Sequence, residues 1–270
     1  MITDWDDAYA NSAYIPDTNA LVEGWWRDAA AYRAASACEL DVPYGRGARA
    51  KLDLFHPAGS TRGLVVFVHG GYWMDFDKSA WSHLAAGPVA RGWAVAIPSY
   101  DLCPDARIAQ ITRQIADAVG EAAARVAGPI ALSGHSAGGQ LAMRLVCADA
   151  PLPAVTADRI RRVVGISGVY DLRPLLRTRM NTTLGLDEAE ASSESPALLR
   201  PEGDADLTLW VGAAERPEFR RQSALLANIW YGMGMSTQLV EAAGRHHFDV
   251  FAPLCEASSD LTRRLCDAVA

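Results

Sequence analysis

The chain has 270 residues, of which 50% are hydrophobic and 21% are charged, and its formal net charge is -7 at pH 7. This composition is ordinary for a globular protein, and we predict a single α/β domain spanning residues 1–270. The acidic balance and the absence of any lysine- or arginine-rich stripe argue against nucleic acid as a partner.

The cysteines and the N-terminal residues further limit the class of protein to which the chain can belong. The five cysteines are scattered and contain no C-x-x-C pair, so they predict neither a disulfide framework nor a metal site. The first seven residues are acidic and lack the apolar core of a signal peptide, and no apolar run approaches a membrane span. We therefore expect a cytoplasmic protein with no membrane partner. The sequence is also compatible with a homodimer.

An irregular arm followed by a helix is predicted over residues 1–37. The apolar residues that recur there at helical spacing are Leu21, Val22, Trp25, Ala29 and Tyr32. Such an aromatic stripe usually packs on the core; the alternative is that the arm folds over a pocket and forms an aromatic wall. Residues 39–42 and 51–55 then alternate apolar and polar around a turn, which predicts an antiparallel hairpin at a sheet edge.

Five short, nearly continuous apolar runs follow the hairpin and are separated by segments of helical length. This alternation is typical of a mostly parallel, doubly wound sheet covered on both faces. The runs span 64–68, 94–97, 130–132, 163–166 and 207–211. Helices are predicted at 79–91, 106–127, 137–149 and 217–232, then a last strand at 238–241 and a closing helix at 250–268. Residues 171–205 have no clean period, so a small cap insertion is predicted beside the pocket.

A glycine-rich pentapeptide, GHSAG at residues 134–138, follows the third apolar run. It fits the G-x-S-x-G pattern of a sharp strand-to-helix turn that exposes a serine nucleophile, and its flanks predict a strand before it and a helix after it. Ser136 is therefore the candidate nucleophile. A serine in this role needs a histidine base, an acid that orients the base, and amide donors for an oxyanion.

The loop after the first apolar run reads HGGYW at residues 69–73 and is the candidate oxyanion loop. Its glycines would let backbone amides approach a developing alkoxide. The predicted donors are the amides of Gly70, Gly71 and Tyr72, together with that of Ala137 after the nucleophile. His69 is expected to brace this loop. The side chains predicted to contact the substrate are Tyr72, Trp73, His135 and Asn181.

The base and the acid are assigned from chain order, which on this fold runs serine, acid, histidine. This order leaves His246 and His247 as bases; we favour His247, although spacing alone does not separate the neighbours. For the acid we favour Glu215, just past the penultimate strand, then Asp171, then Glu218. Glu218 is expected to be a solvated residue of a helix's first turn.

From about residue 63 to the end, the sequence resembles the α/β-hydrolase kynurenine formamidases (arylformamidases) and their esterase relatives. The resemblance is carried by HGGYW at 69–73, YDLCP at 100–104, GHSAGG at 134–139, SGVYDL at 167–172, SP at 195–196, PEFRRQS at 217–223 and HF at 247–248. It implies an α/β-hydrolase fold, with Ser136 as nucleophile, Glu215 as acid and His247 as base. The mechanism of such a hydrolase requires no metal or organic cofactor. His247 is preferred because HF is the matching pair. The acid departs from the pattern, since the animal formamidases carry aspartate there.

The predicted function is that of a serine hydrolase that cleaves a small-acyl amide or ester through an acyl-enzyme. The resemblance favours arylformamidase activity on a small molecule of the N-formylkynurenine type. A general carboxylesterase or a thioesterase is the alternative within the class. A non-catalytic ligand-binding protein on a hydrolase scaffold is the alternative from another class, but such proteins typically lose a catalytic residue.

Overall fold

The computed structural model describes residues 2–267, so residue 268 of the predicted closing helix and both ends of the predicted domain lie outside the described residues. Eight strands form one sheet in the order β1-β2-β4-β3-β5-β6-β7-β8. The strands are β1 (Cys38–Pro43), β2 (Lys51–Phe55), β3 (Leu64–Val68), β4 (Ala94–Pro98), β5 (Ile130–His135), β6 (Ile160–Ile166), β7 (Asp206–Gly212) and β8 (Thr237–Ala242). The predicted mostly parallel sheet is thus confirmed.

The hairpin at the start of the sheet is antiparallel, as predicted. Strand β1 pairs with β2, and β2 pairs with β4, both in antiparallel register. Every later pairing is parallel. The carboxyl ends of β3, β5, β6 and β7 therefore meet at one edge of the sheet, where the loops that follow them can share a site.

Both faces of the sheet are covered, which explains the continuous apolar runs. In β3, Leu64, Val66 and Val68 enter one hydrophobic cluster, whereas Val65 and Phe67 enter the cluster on the opposite face. All five side chains are buried. Burying each such side chain contributes about 1.5–3 kcal/mol, so a polar residue at any of these positions would be strongly destabilising.

The helices follow the predicted alternation, but several are shorter than predicted. They are α1 (Trp5–Ala8), α2 (Thr18–Ala35), α3 (Ala86–Ala90), α4 (Ile108–Arg125), α5 (Ala137–Arg144), α6 (Ala154–Ala157), α7 (Asn181–Leu184), α8 (Glu188–Ser193), α9 (Pro217–Gly232) and α10 (Asp260–Cys266). Among residues 2–267, none of them combines the length and the apolar character that crossing a membrane requires.

Three predicted helices are interrupted for identifiable reasons. The segment 79–91 forms two short 3-10 turns before α3, in which Pro88 lacks a backbone N–H to donate. The segment 137–149 leaves the helix after Arg144 because Cys147 pairs with Pro201 in an isolated bridge. The segment 250–268 forms a 3-10 turn containing Pro253 and then restarts at α10, where the Ser259 side chain caps the new N-terminus.

Two irregular segments lie beside the sheet. The predicted insertion 171–205 contains α7, α8 and two 3-10 turns, and α8 is attached to α4 because Glu190 accepts a 3.0 Å hydrogen bond from the Ala109 amide. The N-terminal arm contains α1 and a 3-10 turn, and it leads into α2. Trp25 of α2 packs on Trp81 with a ring centroid distance of 5.1 Å. Both segments reach the cavity described below.

Candidate active site

Ser136 lies at the sharp turn between β5 and α5. Its backbone is in an unusual region for a residue with a side chain, at φ 55° and ψ -117°. The turn requires glycine on both sides: a Cβ at Gly134 would lie 2.1 Å from the Gly138 carbonyl oxygen, and one at Gly138 would lie 2.0 Å from that of Val68. The pattern G-x-S-x-G therefore produces the geometry of a nucleophile elbow here.

The HGGYW loop passes directly beside this serine. A Cβ at Gly70 would lie 2.8 Å from the His135 carbonyl oxygen and 3.1 Å from the Cβ of Ser136, so the loop needs glycine to approach this closely. Gly71 has φ +109°, Tyr72 has φ 50° and Trp73 has φ 57°, which makes the loop a series of left-handed residues.

The backbone amides beside Ser136 were predicted to bind an oxyanion. Within residues 2–267, no protein acceptor engages the backbone N–H groups of Gly70, Gly71, Tyr72 or Ala137. The Ala137 amide also stands at the N-terminus of α5, where the helix dipole favours negative charge. The donation of these amides to an oxyanion stays a prediction.

His69 braces the loop, as expected. Its Nδ1 lies 2.8 Å from the Gly70 carbonyl oxygen, and its ring stacks on Tyr100 at a centroid distance of 4.2 Å. Burial lowers the pKa of His69 to about 4, so the ring is neutral near pH 7. A neutral ring held in this way has a packing role.

His247 and Glu215 form a buried pair. The His247 Nδ1–H donates to Glu215 Oε2 at 2.7 Å. The other carboxylate oxygen, Oε1, accepts from the Gly212 amide at 2.8 Å and from the Ser167 hydroxyl. Because Nδ1 carries the proton, Nε2 of His247 presents its lone pair, which is the form that can accept a proton from a hydroxyl.

The alternative acids and the alternative base lie elsewhere. Asp171 is paired with Arg173 at 2.9 Å. His246 contacts Asp249, with Nδ1 and Oδ1 3.1 Å apart. The expectation of a solvated Glu218 was wrong: this residue is 1% exposed. Its carboxylate is buried because it accepts hydrogen bonds from the side chains of Tyr9, Arg221 and Gln222.

Ser136 and His247 line the same cavity, which has a volume of about 480 Å³. No hydrogen bond joins the hydroxyl to the imidazole within the described part of the chain. Catalytic hydrogen bonds are often long in unliganded enzymes and tighten when substrate binds, so this arrangement is compatible with a serine and its base. The arm contributes Asp6, Tyr9 and Asn11 to the cavity, α2 contributes Trp25, and the insertion contributes Arg179 and Met180.

His135 also lines the cavity and packs against the base. Its ring centroid is 4.5 Å from that of His247 and 4.7 Å from that of Phe251. Burial, together with the neighbouring His247 ring, holds the pKa of His135 well below its ordinary value. A neutral His135 places no second positive charge beside His247 when His247 accepts a proton.

Two residues predicted to contact the substrate do not reach the cavity. Trp73 is 0% exposed, and its indole N–H donates to Gln140 Oε1 at 3.1 Å, because the left-handed turn directs the ring into the core. The Asn181 side chain is occupied within its own loop, where it donates to the Leu186 carbonyl and accepts from the Leu186 amide. Tyr72 does line the cavity.

An aromatic wall completes the cavity, and the sequence offered only its Trp25, as the alternative interpretation of the helical stripe. It consists of Trp25, Phe76, Trp81 and Phe248. The ring of Trp25 lies 6.0 Å from that of Phe76 and 5.3 Å from that of Phe248. The available signals were the helical stripe that includes Trp25 and the position of Phe248 next to the histidine pair. Phe76 and Trp81 carried no signal.

Comparison with known proteins defines the class. A family model described as the alpha/beta hydrolase family matches residues 65–266. The kynurenine formamidase of Salmo salar is 31% identical, with 91% of this chain and 85% of that protein aligned. That of Danio rerio is 30% identical, with 86% and 82% aligned. The chain belongs to the alpha/beta hydrolase family and is a hydrolase. Within the family it is similar to the kynurenine formamidases.

Solved structures agree on the fold. A crystal structure from a Silicibacter species, described as a candidate thioesterase, is 47% identical, has a TM-score of 0.94 and covers 98% of this chain and 99% of its own. The Pyrobaculum calidifontis esterase has a TM-score of 0.69 at 19% identity and covers 93% of this chain and 90% of its own, a likeness of fold.

Proposed function

We propose that this chain is a serine hydrolase that cleaves a small-acyl amide through an acyl-enzyme, with an aryl formamide of the N-formylkynurenine type as its substrate class. The observation that carries the proposal is the 2.7 Å bond between His247 and Glu215 beside a cavity that Ser136 also lines. A buried carboxylate, a histidine with a free Nε2 and a serine at an elbow are the three parts of a catalytic triad.

In the proposed reaction, Ser136 Oγ attacks the carbonyl carbon while His247 Nε2 takes the hydroxyl proton. The amides of Gly70, Gly71, Tyr72 and Ala137 are the candidate donors for the resulting oxyanion. When the tetrahedral intermediate collapses, the C–N bond breaks and His247 returns the proton to the departing amine. Water then attacks the acyl ester by the same proton transfer, releasing the small acid and restoring Ser136.

The cavity supports an aromatic leaving group. Its wall of Trp25, Phe76, Trp81 and Phe248 suits a flat ring, and its volume of about 480 Å³ fits a molecule the size of a substituted amino acid. Asp75 also lines the cavity and forms no ion pair within the described residues, so the amino group of a substituted amino acid would find a partner there. The similarity to kynurenine formamidases over most of the chain supports the same assignment.

A thioester is the second candidate substrate, because the 47% identical Silicibacter protein is described as a candidate thioesterase. A coenzyme A thioester would bring several phosphate charges to the cavity. Asp6 and Asp75 oppose such a polyanion, and Arg179 is already paired with Asp6 at 3.0 Å. The charges of the cavity lining therefore favour the formamide.

A substrate panel tests the proposal. N-formylkynurenine, p-nitrophenyl acetate and an acetyl thioester of coenzyme A would be compared on the wild type, Ser136→Ala and the surface control Ser258→Ala. We expect formamide turnover by the wild type and the control, and a loss of about 10⁵-fold or more in Ser136→Ala. Turnover confined to the ester or the thioester would replace the formamidase assignment.

Fluorophosphonate labelling separates the enzyme from a binding protein. A folded wild type should be labelled at Ser136, and Ser136→Ala should not react. A folded wild type that remains unlabelled and inactive would favour a non-catalytic ligand-binding protein on this scaffold.

A further inference from the structure

Tyr72 joins the candidate oxyanion loop to the N-terminal arm. Its hydroxyl donates to the Tyr9 carbonyl oxygen at 2.6 Å and accepts from Asn11 Nδ2 at 3.3 Å. Burial raises the pKa of Tyr72, so the hydroxyl keeps its proton and remains a donor. The same residue has a left-handed backbone at φ 50°, which is costly for a residue with a side chain and persists only where its surroundings hold it.

Tyr9 is firmly anchored on the opposite side. It is 2% exposed, and its hydroxyl donates to Glu218 Oε1 at 2.9 Å and accepts from Gln222 Nε2 at 3.1 Å. Its ring meets that of Phe219 edge-on at 5.8 Å, and Phe219 in turn lies 4.4 Å from the His247 ring. Tyr9 thus contacts the candidate oxyanion loop through its backbone carbonyl. Its side chain contacts Phe219, which packs on His247.

Ion pairs attach the arm at the surface as well. Asp6 accepts from the Arg179 amide at 2.7 Å and from the Arg179 guanidinium at 3.0 Å, and Asp7 pairs with Arg216. Exposed pairs of this kind contribute little to stability, so they help dock the arm without fixing it. The buried hydrogen bonds of Tyr9 and Tyr72 are the stronger attachment.

Resting on the proposed function, we propose that Tyr9 and Asn11 are positioning residues that hold the oxyanion amides in place through the Tyr72 hydroxyl. Amide donors stabilise a transition state only when they are oriented before charge develops. The Tyr72 ring transmits the position of the arm to its own backbone and to the adjacent Gly71 amide. The arm therefore positions the candidate oxyanion donors as well as lining the cavity.

The variant Tyr72→Phe tests this inference in the full chain. We expect kcat and kcat/KM to fall together by about 10-fold with KM nearly unchanged, because donor alignment matters only in the transition state. Affinity for a boronic acid that mimics the tetrahedral intermediate should fall by a similar factor. Tyr14→Phe is the matched control: it removes another tyrosine hydroxyl of the arm, one that contacts Asp7 and does not line the cavity.

A second variant, Asn11→Ala, keeps the Tyr72 ring intact and should lower the same quantities by a smaller factor. Unchanged kcat and boronate affinity in both variants would overturn the inference, as would a rise in KM alone, which would mark Tyr72 as a substrate contact only. A wild type that hydrolyses no substrate and is not labelled by a fluorophosphonate would overturn the proposed function and the inference together. An active wild type with unaffected variants removes the inference alone.

Discussion

Glu215 accepts hydrogen bonds from His247, Ser167 and Gly212 at once. The length of its side chain places the carboxylate within reach of all three donors. In Glu215→Gln the amide group cannot accept all three bonds, and the histidine tautomer is no longer fixed. We expect kcat to fall by about 10³–10⁴-fold while the protein stays folded. Measuring kcat for formamide hydrolysis beside a melting curve would check this.

Asp171→Asn is the matched control for this residue, because Asp171 is the other acid candidate and contacts Arg173 rather than the histidine. It should keep nearly full activity. The reverse pattern, with Asp171→Asn inactive and Glu215→Gln active, would move the triad acid to Asp171. Glu215→Asp adds a finer comparison: a carboxylate withdrawn by one methylene should retain the tautomer and lose part of the rate.

At the residue scale, the sequence predicts where the site residues lie along the fold but not where their side chains point. The loops that hold Ser136, Glu215 and His247 follow from strand position and chain order, because parallel strands end at one edge. Side-chain direction does not follow. Trp73 was expected at the substrate and lies in the core, since consecutive left-handed residues reverse the chain there. The burial of Glu218 depends on Tyr9, which is 209 residues away in sequence.

At the scale of elements, the elbow between β5 and α5 makes a sharp prediction. Gly138→Ala would place a Cβ 2.0 Å from the Val68 carbonyl oxygen, a backbone atom that cannot rotate away. We expect a destabilisation of about 3 kcal/mol or more with loss of activity, because β3 and the elbow must separate. Urea denaturation and a formamide assay would measure both effects.

Gly120→Ala is the matched control for this change. Gly120 lies inside α4, and a Cβ there would meet no atom within 4 Å. Alanine should stabilise the protein by about 0.5–1 kcal/mol with activity retained, because it favours the helix and restricts the unfolded chain. If Gly138→Ala behaved like Gly120→Ala, the close packing of the elbow against β3 would be wrong.

The elements themselves were largely predictable, and the exceptions have identifiable causes. All eight strands appear where apolar runs or alternation indicate them. The central strands are buried on both faces, which demands apolar residues, whereas the edge strands β1 and β8 are partly exposed and mix apolar with polar residues. The predicted helices were too long where a proline or a tertiary contact interrupts the helical periodicity. After α5 the chain leaves the helix and Cys147 pairs with Pro201. No local sequence pattern predicts this long-range pairing.

At the scale of the whole molecule, the relation of the N-terminal arm to the cavity was the least predictable feature. The helical stripe of α2 indicated packing, with a wall of the pocket as the alternative, and Trp25 does both. The contacts of Tyr9 and Asn11 come from the irregular part of the arm, where there is no periodicity to interpret. Long-range contacts of this kind depend on the finished fold.

The fold also buries histidines that are neutral, and this gives the molecule a predictable sensitivity to acid. Burial lowers the pKa of both His69 and His83 to about 4, below the ordinary value of about 6.5. Between those two pH values the unfolded chain binds protons that the folded protein does not, so stability falls as the pH drops from about 6.5 towards 4. Above pH 6.5 this contribution is fully present.

The variant His69→Phe isolates one of these groups, since phenylalanine can keep the stack on Tyr100 and does not titrate. The free energy of unfolding, measured by urea at pH 7.5 and pH 4.5, should differ between the two conditions by about 2 kcal/mol less in the variant than in the wild type. His56→Phe serves as the control, because His56 lies at the surface beside Glu39 and its loss should leave the acid sensitivity in place. An acid sensitivity of His69→Phe equal to that of the wild type would mean that His69 is protonated in the folded protein at acid pH. The assignment of a neutral ring at the start of the candidate oxyanion loop would then be wrong.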